Sequence, residues 1–178
     1  APTVPPPTIP PSAEPTPGPV TGPAVETPGG TTGAKALLAI VIDDAGYDLD
    51  ALQPFLDLPL PLAVAVLPNL PHSAEAARRV RAAGKELLLH LPMEPEGGED
   101  PGPGALLTDL PAAELERRLD AALATVPGAS GVNNHMGSKA TADAAFMDVV
   151  LAALGRRGLF FVDSRTTAAT VAAAQAAR

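Results

Sequence analysis

The 178-residue chain contains no cysteine, no tryptophan and a single tyrosine. Without thiols it holds no disulfide, no thiolate metal site and no cysteine nucleophile, and the redox compartment leaves no mark on it. Aromatic residues make up only 3% of the chain, which leaves few ring faces for a ligand to stack on. No apolar run approaches the roughly 20 residues of a membrane span, so the sequence predicts no transmembrane segment. Basic residues are scarce as well: 12 lysines and arginines stand against 20 acids, a formal net charge of -8. That balance, with no basic cluster, argues against nucleic acid or an anionic membrane as the partner. There is no G-x-S-x-G, which disfavours a serine hydrolase, and no phosphate loop or basic cradle that would suit a phosphoesterase.

What is present suits one domain and a tail. Apolar residues reach 46%, enough for a core. Residues 1–34 hold 11 of the 22 prolines, with threonine and glycine and only Glu14 and Glu26 charged. Such a stretch cannot offset its ordering entropy and is expected to be a disordered, partly polyproline linker. A spacer through a periplasm is the functional reading of it, and an anchor or signal upstream of Ala1 is compatible with it. Residues 35–178 are expected to form the folded domain.

Within that domain, five apolar runs alternate with helical or loop segments. The first, Leu37 to Gly46, reads L-L-A-I-V-I-D-D-A-G and has the profile of a strand buried on both faces. Leu62–Leu67, Glu86–Leu91, the short apolar entry at Gly131 and Leu159–Val162 follow. Amphipathic helices are predicted between them, with Ser73 and Thr141 as N-caps and Pro111 at a helix start. Glu96–Leu107, rich in glycine and proline, is long enough for a binding loop or lid.

Each run ends in polar residues: Asp43 and Asp44; Asn69 and His72; His90 and Glu94; Asn133, Asn134 and His135; Asp163 and Arg165. Adjacent carboxylates cannot stay unpaired inside a sheet, and one helix start uses only one N-cap. Parallel right-handed crossovers would bring all five clusters to one rim. Two histidines and an aspartate meeting there suit a divalent ion, Zn²⁺ above all, with positions left open for water. Taken singly, a histidine in an apolar strand is more often a satisfied core residue, and His72 reads as a loop or cap residue.

The stretches I-V-I-D-D-A-G, L-L-L-H-L-P-M-E-P, P-G-P-G-A-L-L-T-D, G-V-N-N-H-M-G-S and F-F-V-D-S-R-T-T resemble successive motifs of the divergent polysaccharide deacetylases, from Lys35 to about Val171. The resemblance implies a distorted (β/α) barrel, here expected to be incomplete at its C-terminus. It implies Asp43 as general base, with Asp44 and His90 as metal ligands. Where the better-known relatives carry a second metal histidine this chain has Glu94, and His135 is expected to take over as the third ligand. Asp163 and Arg165 complete the expected catalytic set, Arg165 orienting Asp43 or simply pairing with Asp163. Glu94, Asn133 and Asn134 are expected to face substrate. The implied activity is removal of N-acetyl groups from an extracytoplasmic, periplasmic glycan. The competing class is a non-catalytic glycan-binding or scaffold protein on the same rim.

Overall fold

The computed structural model describes residues 36–178, so the predicted linker lies outside the described residues. Leu38–Arg178 forms one compact unit. Its elements alternate: β1 (Val41–Ala45), α1 (Leu49–Leu56), β2 (Ala63–Val66), α2 (Ser73–Ala82), β3 (Glu86–Met93), α3 (Ala112–Thr125), β4 (Gly131–Met136), a 3-10 turn (Ala140–Ala142), α4 (Ala144–Arg156), β5 (Phe160–Val162) and α5 (Ala172–Ala176).

All four strand pairings are parallel, in the order β1-β2-β3-β4-β5. A sheet whose order follows the chain without reversal is wound in one direction, as in a (β/α) barrel, and right-handed crossovers then place the helices on one face. Side-chain alternation divides the strands accordingly. Val64 and Val66, Leu87, Leu89, Leu91 and Met93, and Val132 face the helices and join Leu52, Val80, Leu119, Met147 and Val150 in one buried core. The other face carries Ala65, Leu88, His90 and Asn133, all buried.

Local chemistry sets the helix ends. Asp48 caps α1, its carboxylate accepting from the amides of Asp50 and Ala51, and Asp143 caps α4 through Phe146 N. The predicted caps do other work. Ser73 lies within the first turn of α2, and its hydroxyl donates to Leu67 O while accepting from Leu70 N. Thr141 sits in the 3-10 turn and donates to Gly137 O. On α3, Glu114 pairs with Arg118 at 2.9 Å across one helical turn.

The first strand departs from expectation. It is not covered on both faces among the described residues, and Ile40 and Val41 remain 38% exposed. Its only strand neighbour among the described residues is β2. Phe160 on β5 is also exposed.

Candidate metal centre

In a regular strand, consecutive side chains point to opposite faces, which would separate Asp43 from Asp44. The register shows why they stay together. Ile42 pairs with Val64 but Ala45 with Val66, so three steps on β1 match two on β2. This β-bulge re-aims the side chains around it. Asp44 takes the left-handed conformation at φ 61°, which aspartate tolerates better than most residues. Both carboxylates thereby reach the face that carries His90 and Asn133.

His90 arrives from the middle of β3 and His135 from near the end of β4. These two strands pair without interruption from Leu88↔Gly131 to Met93↔Met136. His90 Nε2 stands 3.2 Å from Asp44 Oδ1. His135 Nδ1 lies 3.1 Å from that oxygen and 3.1 Å from His90 Nε2. The three atoms form a nearly equilateral triangle. Ligands of a tetrahedral Zn²⁺ stand about 3.3–3.4 Å apart, and cis ligands of an octahedral ion about 2.9 Å, given bonds of about 2.0–2.1 Å. The observed spacing falls between those values. Among the described residues, Asp44, His90 and His135 are the group of histidines and acids near enough to share an ion.

Proton bookkeeping gives a second test of fit. Asn133 donates from Nδ2 to Asp43 Oδ1 at 2.9 Å, and a carboxylate only accepts, so the amide orientation is fixed. Asn133 Oδ1 then faces His90 Nδ1 at 2.9 Å, which must carry the proton. Burial pushes the His90 pKa down, against the pull of Asn133 and Asp43. A neutral His90 protonated on Nδ1 presents an Nε2 lone pair to the Asp44 carboxylate. That contact sets acceptor against acceptor, and a cation between them relieves it. The donor set fits a divalent ion of the zinc type, with the histidine oriented by a neighbour in the usual manner of metal sites.

The remaining predicted residues are distributed differently. Asn133 is in the centre of the site, but it holds His90 and Asp43 and has no free polar atom toward solvent. Asn134, on the opposite face of the same strand, donates to Met136 O and accepts from Ser164 N. Glu94 fastens loops: its carboxylate accepts from Thr108 N, Thr108 Oγ1 and Lys139 Nζ at 2.6–2.7 Å. Burial alone would raise the Glu94 pKa, but Lys139 and Thr108 outweigh it and hold it at about 2. Asp163 accepts from Arg165 N and Thr170 Oγ1 and lines a hollow between α4 and α5. The Arg165 side chain is exposed and makes no ion pair with Asp163 or Asp43 among those found in the described residues. His72 is the exposed N-cap residue of α2 and makes no capping bond.

The Glu96–Leu107 loop is tied to three neighbouring segments. Asn69 Nδ2 donates to Pro103 O, Arg118 Nη1 to Ala105 O, and Glu96 N to Ser138 Oγ. Sequence reasoning passed over Ser164. Its hydroxyl donates to Asn134 O at 2.9 Å and stands 3.5 Å from Asn133 Nδ2, at the edge of the site. The signal was available in D-S-R, whose serine lies between the two ionisable residues that drew attention.

Comparison with known proteins gives a consistent picture. The sequence profile described as divergent polysaccharide deacetylase matches residues 40–178. An uncharacterized protein of Haemophilus influenzae is 38% identical over 139 residues, covering 78% of this chain and 50% of that protein. The uncharacterized protein YibQ of Escherichia coli K12 is 42% identical over 135 residues, covering 76% of this chain and 42% of that one. The chain thus spans about half the length of these curated relatives. Among solved structures, that of an uncharacterized protein, ATU2773, from Agrobacterium tumefaciens C58 superposes with a TM-score of 0.74 at 29% identity. It covers 83% of this chain and 62% of the other.

Proposed function

The chain belongs to the divergent polysaccharide deacetylase family, and on that premise we propose that it is a metal-dependent hydrolase removing N-acetyl groups from a cell-envelope glycan. The observation that carries the reading is the triangle of Asp44, His90 and His135 with edges of 3.1–3.2 Å, beside a second carboxylate held separately by Asn133.

Asp44, His90 and His135 would hold the ion. A bound Zn²⁺ supplies Lewis acidity toward an acyl oxygen and lowers the pKa of water. The other roles fall to the chain. Asp43, still open to solvent, accepts a proton from water as the water oxygen attacks the acetyl carbon. It then returns that proton to the leaving nitrogen as the C–N bond breaks, giving acetate and the free amine. Asn133 keeps the Asp43 carboxylate turned toward the triad and keeps the His90 proton on Nδ1. The chain's charge of -8 favours a neutral glycan over an anionic one. The proline-rich residues 1–34 support an extracytoplasmic setting.

A second reading is a glycan-binding module that retains the ion without the reaction. One observation favours it. Glu94, standing where the better-known relatives carry a second metal histidine, is engaged by Thr108 and Lys139 and is not part of the triad.

Both readings meet one experiment: measure zinc bound by the chain and acetate released from acetylated chitin and peptidoglycan oligosaccharides. Stoichiometric zinc that His90→Ala and His135→Ala abolish, together with acetate release that Asp43→Asn abolishes, supports the hydrolase. Zinc without acetate supports the binding module. A protein that takes up no zinc refutes both.

A further inference from the structure

The two histidines of the triad are supported differently. His90 is buried within β3, and its Nδ1 is held by Asn133. His135 stands one residue before the end of β4, and the chain just beyond it is strained: Met136 has φ 54° and Gly137 φ 85°. A left-handed pair that includes a non-glycine residue persists only where its surroundings over-determine it. Whatever holds this turn therefore also fixes where the His135 imidazole lies.

The bonds that tie the turn to the strand carrying His90 converge on Glu94. Its main-chain oxygen accepts from Lys139 N at 3.2 Å and Ala140 N at 3.1 Å, and its N–H donates to Leu106 O at 3.0 Å. Its carboxylate accepts from Lys139 Nζ at 2.6 Å through Oε1. Through Oε2 it accepts from Thr108 N at 2.7 Å and Thr108 Oγ1 at 2.6 Å. Glu94 is four residues past His90, and Lys139 is four past His135. On two strands paired in unbroken register, those equal offsets make a cross-tie just beyond the two imidazoles. An isolated surface ion pair is worth little, because two long side chains must be ordered to form it. Here Thr108 has already ordered one of them.

We propose that the Glu94–Lys139 ion pair is a positioning device for the metal centre, locking the turn after His135 to β3 and so holding that imidazole at ion-binding distance from Asp44 and His90. The inference rests on the metal-centre reading above and names what preorganises its third ligand. Neither residue belongs to the ligand triad. Both act through the backbone of residues 136–140, so their loss lowers affinity for the ion by leaving His135 to be ordered on binding.

Three substitutions separate the contributions. Lys139→Met keeps the aliphatic stem and removes the charge, Lys139→Arg keeps the charge, and Glu94→Gln keeps the size and an acceptor for Thr108. Zinc affinity is measured by competition with a chromophoric chelator. Imidazole ¹H–¹⁵N NMR at saturating zinc follows His72, His90 and His135, the three histidines of the chain. Lys139→Met and Glu94→Gln are each expected to weaken zinc binding about tenfold, the lower end of what losing a supporting contact costs a metal site. The double variant loses no more than either single one, because the two residues act as one pair. Lys139→Arg keeps the parent's affinity. In the weakened variants the His135 signals shift or broaden while those of His90 hold.

Leu89→Ala, which opens the core on the helix side of the sheet, is the control for general destabilisation. It lowers Tm while the folded fraction keeps the parent's zinc affinity. A Lys139→Met protein with the parent's affinity and unmoved His135 signals overturns the proposal and leaves the metal centre standing. Equal losses of affinity in Lys139→Met and Leu89→Ala at matched Tm overturn it too, as do losses that add in the double variant. A parent protein that takes up no zinc removes the metal centre, and the positioning role with it.

Discussion

Asn133 is the residue on which the proposed site can be tested most directly, because one buried amide serves two partners. Its Oδ1 accepts from His90 Nδ1 and its Nδ2 donates to Asp43, each at 2.9 Å. Asn133→Ala leaves the buried His90 N–H without an acceptor, which costs about 1–3 kcal/mol of stability. It also frees the imidazole to change tautomer. Removing such a supporting bond weakens metal affinity about 10- to 100-fold, equivalent to about 1.4–2.8 kcal/mol. Asn133→Asp should behave differently. Its carboxylate still accepts from His90, so zinc affinity stays within a fewfold of the parent protein. Beside Asp43, however, it creates a carboxylate pair that cannot both ionise easily, so the acid limb of the pH–rate profile moves to higher pH. Zinc affinity is measured by competition with a chromophoric chelator, and folding by thermal denaturation of the same samples. An Asn133→Ala protein that binds zinc as tightly as the parent would refute the claim that this amide sets the His90 tautomer.

Three further outcomes follow from single residues. The Glu94 pKa is lowered from an ordinary 4.5 to about 2, so its stabilisation is complete above pH 4.5 and disappears as pH falls toward 2. After solvent screening this amounts to on the order of 1 kcal/mol, and thermal melts across that range should fall more steeply for the parent than for Glu94→Gln. Gly137 has φ 85°, and a Cβ there would stand 2.9 Å from Met93 Cβ. Gly137→Ala should therefore cost about 1–3 kcal/mol, read as a lower Tm, and weaken zinc binding through His135 two residues away. Leu89 is fully buried on the helix side of β3, so Leu89→Ala should cost about 2–5 kcal/mol. Zinc stoichiometry should survive in the fraction that remains folded, and its loss there would contradict the separation of the two faces.

The alternation of five apolar runs with helices was legible because burial between layers imposes it, and each run became a parallel strand. Asp44, His90 and His135 were legible as a set because parallel winding leaves the strand ends at one rim. Two features depended on partners the local sequence does not show. The bulge at Asp43 and Asp44 is a relation between β1 and β2, visible only once Ile42 and Ala45 are paired. The engagement of Glu94 depends on Lys139, 45 residues away. The contrast between Asn133 and Asn134 was recoverable from period-two alternation. Reading G-V-N-N-H-M as an apolar entry into a turn, when it is a strand, hid that adjacent amides would face opposite sides. The α4 cap went to Asp143 instead of Thr141, and Ser73 lies inside α2 behind His72, which makes no capping bond; propensity alone does not rank neighbouring polar residues at a helix start.

The proposed centre would join ligands held in two different ways. His90 and His135 stand on interior strands whose six consecutive pairings leave little play. Asp44 stands on β1, across β2 from His90, at the point where the β1–β2 ladder breaks and two adjacent carboxylates come to one face. The left-handed residues reinforce the pattern. Asp44, Asn69, Met136 and Arg165 are the non-glycine residues with positive φ among those described, and each lies at the C-terminal end of a strand or just beyond it. Such conformations persist only where surrounding packing over-determines them, and the buried core behind the sheet provides that constraint. The rim concentrates strain on the side where Asp44, His90 and His135 meet, while the helix-covered face stays regular.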